Sequence, residues 1–391
     1  MTAFVKPNPF TPGNGIEPKY LAGREDFIKE FSRSLDVFEG GLPQNTIIYG
    51  LRGTGKTVLA RHYKLIAETK NWIVIEREFN FKYANEELFG NSTSTDIAAK
   101  SAEVSVKKRL EEASKKLVDS LKPESLSAYG VTYKPYYKEE RKVLTDYLKE
   151  VLTSNWQAFQ KAGKKGVVLL YDEMHNIRDI KETKEYPLSS LLEALSYVQR
   201  EGYKYYLCAC GLPPLKTNLK EAKTYSERMF NFQEVTNLSE FQAQQAIQET
   251  LKGTEYSFEE NLIQTIVKET AGYPYFIQFY GYFLIENTNK TSLKVKDFEG
   301  IKTQLIEKLD KSFFEDRFNL ASPLEKNTLT GLAKQKEDST IAELAKLTKT
   351  SRDSTMQALA SLQQKGLIYR ETRGKYKFTI PLFQKYLQRQ K

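Results

Sequence analysis

Apolar positions along the chain recur with two different periods. Phe27, Ile28, Phe31, Leu35 and Phe38 sit at helical spacing and predict a helix from Glu25 to about Phe38. Gly40-Gly41-Leu42-Pro43 then breaks the pattern, and Thr46-Ile47-Ile48-Tyr49 reads as a short strand. A glycine-rich loop and an apolar helix from Lys56 to about Glu68 succeed it, and Trp72–Phe79 reads as a second strand. Further strand-like runs occur at Val167–Tyr171, Lys204–Cys210 and Phe230–Val235. Strands alternating with helices predict an α/β fold with a parallel sheet. Residues 81–165 interrupt the alternation with two helical stripes, Leu110, Ala113, Leu117, Leu121 and Val143, Leu144, Tyr147, Leu148, Val151, Leu152. They read as a helical insertion decorating the sheet.

From Leu238 the strand pattern gives way to helices. Ser239-x-x-Gln242 and Ser257-x-x-Glu260 are capping-box patterns, each expected to open a helix. This stretch runs to about Leu320. Beyond it, Thr340-Ile341-Ala342-Glu343 caps a short helix carrying Leu344, Ala345 and Leu347. Ser351 caps a second helix with Met356, Leu359 and Leu362 as its apolar stripe, and Gly366 ends it. Leu367–Arg370 and Lys375–Ile380 read as two strands joined by Glu371-Thr372-Arg373-Gly374. The expected organisation is a nucleotide-binding core with an extended N-terminal arm over 1–237, an α-helical lid over 238–320 and a small module over 321–391.

Charge sharpens that division. Lys and Arg number 59 against 50 Asp and Glu. Residues 321–391 hold 14 basic and 6 acidic residues, a net +8, while the rest of the chain holds 45 and 44. A polyanion partner for the C-terminal module is one reading, and a lysine-rich solvated surface is the other. The apolar runs Val167–Tyr171 and Tyr205–Leu215 are too short to span a bilayer, so no membrane segment is expected. Prolines occupy the N-terminus where a signal peptide needs an apolar stretch. Cys208 and Cys210, the only cysteines, are neighbours on one strand face and cannot brace a fold. Together these point to a cytoplasmic protein.

The chemistry concentrates in two segments. Gly50-Leu51-Arg52-Gly53-Thr54-Gly55-Lys56-Thr57 fits G-x-x-x-x-G-K-[ST] between a predicted strand and a predicted helix. Glycines there let backbone N–H groups turn around phosphate oxygens, Thr54 lying among them, and the helix start adds positive potential. Lys56 would reach the β- and γ-phosphates of ATP, and Thr57 would offer its hydroxyl to Mg²⁺. Val167-Val168-Leu169-Leu170-Tyr171-Asp172-Glu173 is an apolar strand ending in two carboxylates. Asp172 is the candidate metal residue and Glu173 the candidate that polarises the attacking water. The alternative is an acidic pair that merely caps the next helix. His62 and His175 are the only histidines and are expected to be structural, with His175 close enough in sequence to tune Glu173.

With these motifs the chain resembles AAA+ ATPases over essentially its whole length. More closely, it resembles the bacterial and archaeal ATPases related to origin-recognition-complex initiators and to STAND signalling ATPases. The resemblance implies a P-loop core, a helical lid, bound ATP or ADP, and Mg²⁺. Tyr20-Leu21-Ala22-Gly23-Arg24-Glu25 resembles a Gly-Arg-Glu box, which would place Gly23 and Arg24 against the adenine. Thr224–Phe230 lies where such families carry an arginine acting in trans, which makes Arg228 the finger candidate and implies a homo-oligomer. Gly272-Tyr273-Pro274 takes the STAND form, with Pro274 near the base or ribose, in place of a lid arginine. Cys210-Gly211-Leu212 stands where a polar sensor residue is usual. Hydrolysis is therefore expected to be slow and nucleotide to act mainly as a switch, and the aromatic run Tyr273–Tyr282 to form lid core.

The C-terminal order of helix, turn, helix and basic hairpin resembles a winged-helix domain. Arg352, Ser354, Thr355 and Gln357 would face a major groove, and Arg370, Arg373, Lys375 and Lys377 would meet phosphates of double-stranded DNA. Two functions stay open: an ATPase coupling nucleotide state and oligomerisation to DNA binding, and a STAND-type switch whose module docks on protein. An adaptor that recruits a separate effector protein is a third.

Overall fold

The computed structural model describes residues 8–13, 15–115, 135–136, 143–288, 290–335, 340–372 and 374–390. They form two compact units. One holds Asp26–Tyr49 and Leu59–Glu234; the other holds the chain up to Glu25, Gly50–Val58 and the chain from Val235 onward.

The first unit is an α/β layer. Five strands, β1 (Asn45–Tyr49), β2 (Ile73–Glu78), β3 (Val167–Asp172), β4 (Tyr205–Gly211) and β5 (Phe230–Glu234), lie in the order β2-β3-β4-β1-β5. All four pairings are parallel, as the alternating pattern predicts. β4 is buried throughout and β3 up to Tyr171, which explains their unbroken apolar runs. The register sets Tyr171 beside Ala209 and Tyr49 beside Gly211, so β1, β3 and β4 end along one sheet edge. Polar pins fix the middle of the sheet: buried Asn45 accepts the Leu207 N–H at 2.8 Å, and the Thr46 and Tyr206 hydroxyls meet at 2.6 Å.

Helices α1 (Glu25–Glu39) and α2 (Lys56–Thr69) bring Phe31 and Tyr63 into a stack at 4.0 Å. The insertion supplies α3 (Glu86–Lys115) and α4 (Leu144–Lys161). Leu148, Val151, Leu152 and Phe159 bury one face of α4, and the Tyr205 hydroxyl donates to Leu152 O at 2.7 Å. Val143 departs from the expected stripe: it precedes the first turn and is exposed. Leu110 and Ala113 fall within α3, while Leu117 and Leu121 lie outside the described residues. Helices α5 (Pro187–Arg200), α6 (Pro214–Ala222) and α7 (Ser226–Met229) complete the unit.

The second unit is mostly helical. Ser239 opens α8 (Glu240–Leu251) with the expected capping box. Ser257 does not cap a helix: Ser257–Phe258 forms β6, paired with β7 (Ser292–Leu293), and Glu259 precedes α9 (Glu260–Thr270). The backbone of Ser257 is extended in a ladder, and the pattern S-x-x-E alone does not separate the two outcomes. Then come α10 (Pro274–Glu286), α11 (Val295–Leu309), a π-helical turn over Asp310–Glu315 and α12 (Asp316–Asn319). The N-terminal arm packs here, with Phe10 buried against Gly281 and the Thr11 N–H donating to Gln278 Oε1 at 3.0 Å. The C-terminal portion runs α13 (Pro323–Lys334), α14 (Ile341–Thr348), α15 (Arg352–Gln364), the antiparallel pair β8 (Ile368–Thr372) and β9 (Lys375–Phe378), then α16 (Phe383–Arg389). Capping boxes open α13 and α14. Among the described residues no helix is long and apolar enough to cross a membrane.

Candidate functional site

The chain leaves β1 at Tyr49 and turns through Gly50–Gly55 into α2. Gly53 and Gly55 have φ of 72° and 95°, a region that glycine enters without steric cost. A Cβ on Gly50 would lie 2.1 Å from Val235 O, and one on Gly53 would lie 2.0 Å from the Tyr273 hydroxyl oxygen. Among the described residues no backbone carbonyl accepts from the amides of Gly53 and Gly55. Buried Lys56 lays its ammonium on Gly50 O at 3.0 Å and Leu51 O at 2.7 Å. The Thr54 hydroxyl donates to Leu51 O at 2.9 Å, and exposed Thr57 lies in the first turn of α2, which has no acidic residue. The loop is thus a cationic, glycine-lined cradle at a helix start, which is what a phosphate chain requires.

Long-range contacts hold this cradle. Arg24 is buried and donates to Thr54 O at 3.1 Å, Thr236 O at 2.7 Å and Gly23 O at 3.1 Å. Burial lowers its pKa, yet its bonds all go to carbonyl oxygens. Arg24 therefore braces the phosphate loop from beneath. Gly23 has φ 65° and packs against the Gln242 side chain. Ala271 and Gly272 are both left-handed, and Pro274 follows as the first residue of α10. The Leu238 N–H donates to Gly272 O at 2.9 Å.

Two contacts were not legible from the motifs. The Tyr273 hydroxyl donates to Arg52 O, and the Arg52 N–H donates to Thr379 O at 3.3 Å. The first joins the loop to the start of α10; the second joins it to the segment after β9. Thr379 is buried and its hydroxyl donates to Gly366 O at 2.6 Å. A Cβ on Gly366 would stand 2.8 Å from Arg52 Nη2, so that guanidinium lies over the turn between α15 and β8. Tyr273 is buried among aromatics as expected, but its polar end faces the loop. Nearby, the Arg317 guanidinium lies 4.0 Å from the Phe313 ring centroid. Burial and the Arg52 charge lower its pKa.

The carboxylates belong to the sheet unit. Asp172 ends β3 and its Oδ1 accepts the Glu173 N–H at 2.8 Å. Glu173 is left-handed, with φ 54° and ψ 28°, an uncommon state for a residue with a Cβ. A 3₁₀ turn over Met174–Asn176 follows, and His175 Nε2 lies 3.4 Å from Glu173 Oε2. Arg228 is exposed on α7 and makes no ion pair among the described residues, whereas its neighbour Glu227 pairs with Lys220 at 2.5 Å. His62 lies half-buried on α2, away from the carboxylates in sequence, and no cluster of three His, Cys, Asp or Glu suits a metal among the described residues.

In the C-terminal module Arg352, Gln357, Arg370, Lys375 and Lys377 are exposed, and Lys377 pairs with Glu371 at 2.6 Å. Ser354 is half-buried and bonds Ser351, its N–H donating to Ser351 Oγ at 3.1 Å. Thr355 is a correction. Its side chain is fully buried, its hydroxyl donating to Ser351 O at 2.9 Å and meeting that of Thr350 at 2.8 Å, so it faces the module's interior. Met356 is also corrected: it is exposed, and Thr355, Ala358, Leu359 and Leu362 form the inner face of α15. Arg373 lies outside the described residues.

Comparison with known proteins agrees with the geometry. The profile of a family described as AAA ATPase domain matches residues 20–201, and that of a domain of unknown function (DUF8462) matches 311–387. Among curated proteins nothing matches. The fold is similar to the Walker-type ATPase PABY2304 of Pyrococcus abyssi, at 16% identity and TM-score 0.57 over 94% of this chain and 96% of that one. It is also similar to the ADP form of the Aeropyrum pernix ORC2 protein, at 12% identity and TM-score 0.50 over 96% and 97%. At these identities the likeness is one of fold.

Proposed function

We propose that this chain is an ATPase whose nucleotide-binding region includes residues 20–201, the part that the AAA ATPase domain profile matches, and that it passes its nucleotide state to its C-terminal module, through which it binds double-stranded DNA. The observation that carries this is the pair of bonds on Arg52, from Tyr273 on one side and to Thr379 on the other. A phosphate chain entering the cradle draws the amides of Gly53 and Gly55 and the Lys56 ammonium toward itself. Lys56 must then leave the carbonyls of Gly50 and Leu51. Any shift of the loop moves Arg52 and the contacts it makes. Nucleotide and module are thus linked by adjacent residues of one segment.

Thr57 and Asp172 are the residues that would hold Mg²⁺, whose charge would neutralise the β- and γ-phosphate oxygens. Glu173 orients and polarises the attacking water. Arg228, exposed and without an acidic partner among the described residues, acts in a neighbouring copy, which makes hydrolysis dependent on assembly. Gly23 and Pro274 border the base, while Arg24 holds the loop. On the module, Arg352, Ser354, Lys375, Lys377 and Arg373 contact DNA in the manner of a winged helix, and Thr355 takes no part.

A second reading has one observation in its favour. The Arg52–Thr379 bond would equally serve a switch whose module stays docked until ATP arrives and binds protein thereafter. A titration with duplex DNA across salt, in ATP, ADP and no nucleotide, separates them. If roughly six phosphates are neutralised, log affinity falls with log salt at a slope of about −5. Nucleotide-dependent affinity with that slope supports the DNA reading. Absence of binding at low salt in all three states favours the docking switch.

A further inference from the structure

We infer that His175 is a positioning residue for Glu173, with its tautomer set by the turn that ends β4. The inference rests on the reading of Glu173 as the group that activates water, and it adds how that carboxylate is aimed. The Leu212 N–H lies 3.3 Å from His175 Nδ1. A backbone amide can only donate, so Nδ1 is the bare, accepting nitrogen. The neutral ring then carries its proton on Nε2, the atom that lies 3.4 Å from Glu173 Oε2. The imidazole thus sets its Nε2 edge 3.4 Å from the Glu173 carboxylate.

Three further features fix the ring. Asn218 Nδ2 donates to His175 O at 3.0 Å, which ties the 3₁₀ turn to α6. The His175 side chain is only 10% exposed. Gly211 has no Cβ, and one built there would lie 3.1 Å from His175 N and 3.3 Å from Nδ1. The glycine at that strand end is what lets β4 come close enough for the Leu212 amide to reach the ring. Glu173 itself has a left-handed backbone, a conformation that persists only where neighbours over-determine it. The rigid ring of His175 and the bond from the Glu173 N–H to Asp172 Oδ1 are two such restraints.

The test uses the full chain and compares four variants by ATP affinity, kcat, KM and melting temperature. Glu173→Gln checks the underlying reading: it should bind ATP and lose turnover, and normal turnover would remove Glu173 from catalysis altogether. His175→Ala should lower kcat by about 10- to 100-fold, as expected of a misaimed group, with ATP affinity changed less than about twofold. His175→Gln places an amide nitrogen where Nε2 stands and should restore kcat to within about threefold of wild type. His175→Asn places its amide at the Nδ1 position, short of Glu173, and should stay as slow as alanine. If Glu173→Gln is inactive while His175→Ala turns over normally, the positioning role is overturned and the reading of Glu173 survives. If His175→Ala, His175→Gln and His175→Asn all lose activity in proportion to their melting temperatures, His175 is structural only and the inference fails.

Discussion

The phosphate loop and the carboxylate pair both follow parallel strands that end on the same sheet edge, but they are held in opposite ways. Asp172 and Glu173 are fixed by near neighbours, the turn Met174–Asn176 and the end of β4. Their scaffold is a buried sheet with side-chain pins. The loop is fixed by residues scattered over the chain: Arg24, Val235, Tyr273 and Thr379. A locally built site has one geometry. A site assembled from distant segments can report its occupancy to each of them, which is the property a nucleotide switch needs.

Substitutions can break that contrast in order of severity. Lys56→Ala should abolish ATP binding, whereas Glu173→Gln should leave binding intact and stop turnover; a fluorescent-nucleotide titration and phosphate release distinguish them. Gly53→Ala should weaken ATP binding by more than tenfold, because φ 72° disfavours a Cβ and the Tyr273 hydroxyl occupies its place. An unchanged dissociation constant would show that the loop tolerates loss of the Tyr273 contact. Arg228→Ala should spare binding and remove any dependence of specific activity on protein concentration. Tyr273→Phe deletes one hydrogen bond, about 1 kcal/mol. It should leave basal hydrolysis within about threefold while narrowing the difference in DNA affinity between ATP and ADP.

The smallest effect concerns the module's own stability. Burial of Glu325 would raise its pKa, but the Lys365 ammonium at 2.5 Å, Ser361 and the Ser322 N–H lower it to about 2. A carboxyl depressed in the fold stabilises fully above its unfolded value. That contribution should fade as pH falls from about 4.5 to about 2. Glu325→Gln should lower the melting temperature at pH 7 by a few degrees and flatten this acid dependence, read by thermal unfolding at stepped pH.

The contrast also explains what could be read from the residues alone. The loop, the strand ending in Asp172-Glu173 and the parallel sheet were legible because each is encoded in a contiguous run. The roles of Tyr273, Arg52 and Thr379 were not, because each depends on a partner far along the chain. Tyr273 looked like core since its neighbours Tyr275 and Phe276 are aromatic, and it is core apart from its hydroxyl. Thr355 and Met356 are adjacent on α15, and the apolar pattern placed Met356 inward and Thr355 outward, the reverse of what the structure shows. Polar Thr355 turns inside because Ser351 and Thr350 satisfy its hydroxyl. Ser257 carried a capping pattern that a two-residue strand overrode. His175 was legible as a neighbour of Glu173 in sequence, but the Leu212 amide that sets its tautomer was not.

The most direct test of the coupling is amide hydrogen exchange over residues 50–57 and 366–380, without nucleotide, with ATP, and with ATP added to Lys56→Ala. The account predicts that ATP changes exchange in both segments of the wild-type chain and in neither segment of the variant. Protection confined to residues 50–57, with 366–380 exchanging identically in every state, would contradict it.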